Sequence, residues 1–137
     1  MGKTEKYSYV HKQRVAWGDM DAFGHLNNVM YARYFENARA EYFTDNGLWK
    51  SPTHVEGGAP VVTRLEFDFR RQVVFPQTLE VTLEMSSVNS RGFRMNCSFW
   101  DEKNECVATA MASFLWVDFS TGKPGRLPAE VVEYYKG

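Results

Sequence analysis

The 137 residues fit one domain, 1–137, long enough to bury roughly two-thirds of the surface its unfolded form would expose. Sixteen basic and seventeen acidic side chains leave a formal charge of −1, so there is no broad basic face, which argues against nucleic acid as a partner. The two cysteines, Cys97 and Cys106, have neither zinc-finger nor Cys-x-x-Cys spacing, and Cys97 fits an inward strand position as a small hydrophobe in a reducing compartment.

The N-terminal stretch MGKTEKYSYV is charged and lacks the apolar centre of a signal peptide, and Lys6 stands where a myristoylation motif needs Ser or Thr. No apolar run approaches the ~18 residues of a membrane span, so no span and a cytoplasmic location are expected. A first strand is expected around 7–17, followed by a loop, WGDMDAFGHLNN (17–28), dense in groups that accept, donate or move protons. From 29 to 43 the pattern is helical. Tyr31, Tyr34, Phe35, Ala38 and Tyr42 share one stripe, and Arg33, Glu36, Asn37, Ala40, Glu41 and Thr44 the other. Gly47 is placed to stop the helix, and a loop with Pro52, Gly57, Gly58 and Pro60 follows.

Beyond Pro60 the period changes to two. Val61, Thr63, Leu65, Phe67 and Phe69 alternate with Val62, Arg64, Glu66, Asp68 and Arg70. Leu79, Val81, Leu83 and Met85 form a second inward series, and Phe93, Met95, Cys97 and Phe99 a third. VATAMASFLWV (107–117) carries no charge and reads as a central strand, while NSRG (89–92) and DEKNE (101–105) read as turns. The expected class is α+β: one long helix with an antiparallel sheet of about five strands, the last four in a meander. One helix covers one face, and the apolar sheet and its edges call for a second copy of the chain.

The loop delivers its polar groups to the start of that helix, where the first backbone N–H groups are unpaired and the macrodipole is positive. Asn27 or Asn28 suits the N-cap. Asp21, a few residues upstream, can fold over the same spot, which pairs a nucleophile or base with a place for oxyanion charge, the minimum for acyl transfer. Loop aspartates and asparagines also cap turns, so Asp19 is read as a loop hydrogen-bonder and Asp21 keeps both readings; His25, beside a glycine, reads first as loop-ordering. Asp19, Asp21 and His25 match no standard ligand spacing, so no metal is expected. Arg91, Arg94, Lys123 and Arg126 have the chemistry to grip phosphates, and each also reads as ordinary solvated charge.

The stretch W-G-D-M-D-A-F-G-H-L-N-N-V-M-Y followed by Y-F-E-N-A-R resembles the hotdog-fold acyl-CoA thioesterases of the 4-hydroxybenzoyl-CoA thioesterase family, nearest the branch with Gly-His-x-Asn-Asn in the loop. The sharp match covers 17–42. The resemblance implies a hotdog fold, with the long helix wrapped by a curved antiparallel sheet. It also implies edge-to-edge dimers that often pair into tetramers, with active sites between subunits. The family's second aspartate falls on Asp21 as the catalytic carboxylate, and its polarising backbone N–H falls at or next to Asn28. Where the type member has apolar and aromatic residues, this chain has His25, Leu26, Asn27 and Asn28, which favours an aliphatic acyl group. The implied reaction is hydrolysis of acyl-CoA to free acid and coenzyme A, with no cofactor beyond the coenzyme carried by the substrate. His25 and Asn27 would position, and Arg91 and Arg126, ahead of Lys123 and Arg94, would hold the phosphates. Two rivals stand beside it. Hotdog hydratases and dehydratases separate Asp from His by four residues with Asn-Pro between, whereas three residues separate Asp21 from His25 here. A non-catalytic acyl-thioester-binding protein would share the pocket.

Overall fold

The computed structural model describes residues 7, 9–46, 57–129 and 132. Strand β1 (Tyr9–Arg14) leads through a 3-10 turn (Trp17–Asp19) to helix α1 (Asn28–Asp45). The strands β2 (Gly58–Phe69), β3 (Thr78–Ser86), β4 (Gly92–Trp100), β5 (Cys106–Asp118) and β6 (Lys123–Pro124) follow. The first strand ends earlier than expected because Trp17–Asp19 coils instead. Gly47 and Pro52 lie outside the described residues; within them the helix closes on Asn46, whose backbone N–H and side-chain amide both donate to the Tyr42 carbonyl.

The strands form one antiparallel sheet in the order β1-β3-β4-β5-β2, with β6 added to β5. β3, β4 and β5 make the expected meander, but β2 does not pair with β3. It lies on the far side of β5, from Gly58 opposite Asp118 to Phe69 opposite Ala108. That pairing satisfies both edges of the uncharged central segment of β5, whose backbone groups could not be left unpaired in the core. Gly58 and Pro60, expected in the loop, belong to β2. As an edge strand β2 tolerates a proline that cannot donate to a ladder.

The register also slips between Val62 and Arg64, so Thr63 is an extra residue on the β2 side. An inserted residue reverses the faces of everything before it. Val62, Leu65 and Phe67 therefore pack on the core, while Val61 and Thr63, expected on the same face as Leu65, are exposed. Gly92 opens β4 so close to β5 that a Cβ there would lie 2.0 Å from the Phe114 carbonyl oxygen.

The helix stripe Tyr31, Tyr34, Phe35, Ala38, Tyr42 and Phe43 is buried against the inward residues of the sheet. On β5 these include Ala108, Ala110 and Ala112, small enough to admit rings from above. Tyr31 meets Phe69 and Phe99 edge-on, both at 5.2 Å. Further along, Phe43 meets Phe93 and Phe114, both at 6.0 Å. Each such ring pair contributes about 0.5–1.5 kcal/mol beyond its buried area.

A polar clasp joins β1 to the later turns of α1. His11, 7% exposed, contacts the Glu41 carboxylate through Nδ1 at 2.7 Å and Gln13 Oε1 through Nε2 at 3.1 Å. Asn37 donates its side-chain amide to the same Gln13 oxygen at 3.0 Å. The Tyr9 hydroxyl donates to Glu41 and Asp45 at 3.4 and 3.3 Å.

Candidate active site

The loop between the 3-10 turn and α1 folds on itself. Met20 and Leu26 form an isolated bridge, the Asp21 N–H donates to the His25 carbonyl at 2.9 Å, and the Gly24 N–H donates to the Asp21 carbonyl at 3.0 Å. Gly24 takes φ +83°, a conformation costly for any residue with a Cβ. One oxygen of the Asp21 carboxylate, Oδ1, accepts the Phe23 N–H at 2.9 Å. Among the described residues the other oxygen has no partner. The Leu26 N–H donates to the Val73 carbonyl at 2.7 Å and ties the loop to the segment after β2.

Asp19 is tied into the loop through one carboxylate oxygen, Oδ2, and through its carbonyl. Its carboxylate accepts the Tyr34 hydroxyl at 2.5 Å and its carbonyl accepts the Asn27 N–H at 3.0 Å. Tyr34 therefore anchors the loop from inside the helix, a role its place on an apolar stripe did not reveal. Burial, and then the adjacent Asp19 carboxylate, push its ionisation above the ordinary tyrosine range, so it stays a donor.

Asn27 is the N-cap. Its Oδ1 accepts the Val29 N–H at 3.2 Å, and its carbonyl accepts the Met30 N–H at 2.8 Å. The cap thus consumes two of the first three helical donors and leaves the third, the Asn28 N–H, without an acceptor among the described residues. This group sits at the positive end of an 18-residue helix.

A cavity of about 360 Å³ brings together Asp21, His25 and Asn28, with Phe23, Leu26 and Phe69 as its apolar wall. Asn27 does not line it; it acts one step back, through the cap. Arg70 and Arg71 stand at this cavity although the sequence did not single them out. Both of their N–H groups donate to the Val107 carbonyl, which turns the chain where β2 ends. Arg71 pairs with Glu105 at 2.9 Å. Arg70 has no carboxylate partner among the described residues. In the sequence Arg70 reads as the last polar position of an alternating strand and Arg71 as the residue after it, a pattern that carries no signal for a site.

The phosphate candidates lie elsewhere. The Leu127 N–H donates to the Ser90 carbonyl and the Trp116 N–H to the Arg91 carbonyl, both at 2.8 Å, so the loops of Arg91 and Arg126 run side by side. Lys123 pairs in register with Asp118, whose exposed carboxyl is lowered below the usual range by hydrogen bonds from the Ser120 hydroxyl and N–H. Arg94 lines a separate cavity of about 380 Å³ with Ser87, Asn89 and Leu115. Phe69 borders the Asp21 cavity opposite Ala108, eight residues before Trp116 on β5, a span of about 27 Å in an extended strand. Within one copy, the basic cluster and the carboxylate are at opposite ends of the sheet. Among the described residues no three His, Cys, Asp or Glu side chains group in a way that could hold a metal ion, and no helix is long and apolar enough to cross a membrane.

The chain is 26% identical over 117 residues to the long-chain acyl-CoA thioesterase FadM of Escherichia coli, covering 83% of this chain and 86% of that one. It is 24% identical over 123 residues to the acyl-CoA thioester hydrolase YbgC of Escherichia coli, covering 90% and 92%. A solved structure from Aquifex aeolicus superposes with a TM-score of 0.83 at 25% identity, over 93% of this chain and 98% of that one. The one long helix and the antiparallel sheet of six strands agree with these likenesses. The model of the thioesterase-like superfamily matches residues 15–134, the site loop, the helix and strands β2 to β6 included, and the chain belongs to that superfamily.

Proposed function

We propose that this single-domain protein hydrolyses an acyl-CoA thioester to the free acid and coenzyme A. One observation carries the reading. A single cavity holds a carboxylate with one uncommitted oxygen, on Asp21, and the one helix-start N–H left open by the cap, on Asn28. Asp21 supplies the base or nucleophile, and the Asn28 N–H meets the negative charge that develops on the carbonyl oxygen. His25 positions groups in the cavity, and Asn27 positions Asn28 through the cap. The names of FadM and YbgC support a thioester substrate, and the long-chain acyl-CoA in the name of FadM supports an aliphatic acyl group. The volume is near the floor of the roughly 300–1,000 Å³ range of small-molecule sites. It suits an acyl head and thioester, with the nucleotide outside.

The coenzyme enters as part of the substrate, and Arg91 and Arg126 take its phosphates, with Lys123 and Arg94 secondary. The carboxylate of Asp118 beside Lys123 supports that ranking. Their distance from Asp21 supports a homodimer or homotetramer in which a second copy presents the cluster, and the twelve-residue edge of β2 offers a ladder for it. The solution mass should be at least twice 15.8 kDa; an active monomer at micromolar concentration would refute this assembly. Two free thiols support the cytoplasm as the working compartment.

Thiol release across acyl-CoAs of graded chain length tests the activity. Tight binding without release would make this a binding protein, and hydration of an enoyl thioester would make it a hydratase. One turnover in heavy-oxygen water, with enzyme in excess, tests for a mixed anhydride on Asp21: opening it at the aspartyl carbon puts label into Asp21, whereas opening it at the acyl carbon does not. We favour water attack, which puts all label in the released acid, with Asn28 and His25 to hold the water because the Asn27 oxygen is already engaged. Label in an Asp21-containing peptide would establish a mixed anhydride instead.

A further inference from the structure

Tyr31 stands three residues past Asn28 on α1, and its side chain is 2% exposed. Phe69 and Phe99 hold the ring edge-on from two strands, both at 5.2 Å. Long side chains on a helix lean toward the preceding turn, so Tyr31 covers the turn that begins at Asn28. It borders the same cavity as Asp21 and Asn28.

Its hydroxyl has no hydrogen-bond partner among the described residues. Buried tyrosine hydroxyls ordinarily find one. Tyr34, one turn later, gives its own to Asp19 at 2.5 Å. A donor held rigid by two rings and left open on a cavity wall is complementary to an acceptor on whatever enters. The acceptor that every thioester brings to this place is its carbonyl oxygen. Burial pushes the Tyr31 ionisation up to about 12, so the group meets that oxygen as a neutral O–H donor at neutral pH.

We propose that Tyr31 is a catalytic residue, its hydroxyl donating to the thioester carbonyl oxygen beside the Asn28 N–H. This rests on the hydrolytic reading above. Water adds to the carbonyl carbon while Asp21 takes its proton, and the carbonyl π pair moves onto oxygen. The oxyanion is held by the Tyr31 O–H and the Asn28 N–H. The pair then returns, the carbon–sulfur bond breaks, and the proton passes from Asp21 to the departing thiolate. Tyr31 keeps its own proton throughout.

The test is Tyr31→Phe in the full chain. The hydroxyl makes no bond in the free protein, so the melting temperature should hold. The Kd of a thioether analogue, with the carbonyl replaced by methylene, should hold as well. The kcat should fall roughly 100-fold, as when one oxyanion donor is removed, and equally for plain and oxygen-bearing acyl chains. A kcat within about threefold of the parent would overturn the proposal, and so would a loss confined to oxygen-bearing chains. If the phenylalanine variant is also less stable, difluorotyrosine at position 31 decides. Its more acidic hydroxyl should give kcat an alkaline limb that the parent lacks, because an ionised oxygen cannot donate; no new limb would overturn the assignment. Parent enzyme that turns over while the Phe variant matches it sinks this inference alone. Parent enzyme that releases no thiol from any acyl-CoA sinks the hydrolytic reading, and this one with it.

Discussion

Two polar clusters flank α1, and they treat their hydrogen-bonding groups in opposite ways. In the clasp between β1 and the later turns, both nitrogens of His11 have partners, and Gln13 Oε1 serves His11 and Asn37 together. At the start of the same helix, one Asp21 oxygen, the Asn28 N–H and the Tyr31 hydroxyl have none among the described residues. These three groups border a cavity, where solvent can meet them in the free protein and a ligand's polar atoms can take its place. The clasp shows that this sequence can satisfy a polar cluster when stability is the only demand. The opening at the helix start therefore leaves donors and an acceptor available to a ligand.

The largest expected effect lies on the open side. Asp21→Asn should leave a folded protein whose thioesterase rate is down at least ~100-fold in a thiol-release assay. Asp19→Asn should cost far less, because the Asp19 carbonyl that holds Asn27 is backbone and survives the change. Equal losses, or a worse Asp19 variant, would mean that the engaged and the open aspartate have been assigned the wrong way round.

Next come the remote cations. Charge-assisted contacts contribute roughly 1.5–3 kcal/mol. Arg91→Ala or Arg126→Ala should thus raise KM for acyl-CoA at least about tenfold and spare a short thioester without the nucleotide. The same loss on both substrates would assign these arginines to structure.

The smallest catalytic effect belongs to the clasp. His11→Ala should lower stability by about 1–2 kcal/mol, seen as a drop of a few degrees in melting temperature, with kcat unchanged. A rate loss without a stability loss would show that the satisfied cluster communicates with the open one.

Much of this could be read along the chain. The helix shows its period through Tyr31, Tyr34, Phe35, Ala38 and Tyr42, all buried, and the strands show theirs through Leu79, Val81, Leu83, Phe93, Met95, Cys97 and Phe99. Asn27 as a cap follows from local chemistry alone. What stayed hidden depends on partners distant in sequence. The bulge at Thr63 is invisible because its flanking residues alternate plausibly in either register. The pairing of β2 with β5 depends on a connection of eight residues, too long to dictate its neighbour. Tyr31 and Tyr34 look alike on a helical wheel, and only the third dimension shows that one hydroxyl reaches Asp19 while the other has no partner among the described residues.

Gly92 has a bearing on how freely this protein can change. A methyl group at that position would meet the Phe114 carbonyl at 2.0 Å and the Leu115 Cα at 3.3 Å. Relieving that clash means moving the β5 backbone beneath the ring cluster of Phe35, Phe43 and Phe93, or lifting the hairpin that carries Arg91. Arg91, Arg94, Lys123 and Arg126, proposed above to hold the carrier's phosphates, can be exchanged one at a time, since all four are exposed. The hairpin beneath Arg91 cannot be reshaped by the same small steps, because the first of them runs through the core. Diversified libraries aimed at carrier preference should therefore hold position 92 constant and vary only the side chains around it.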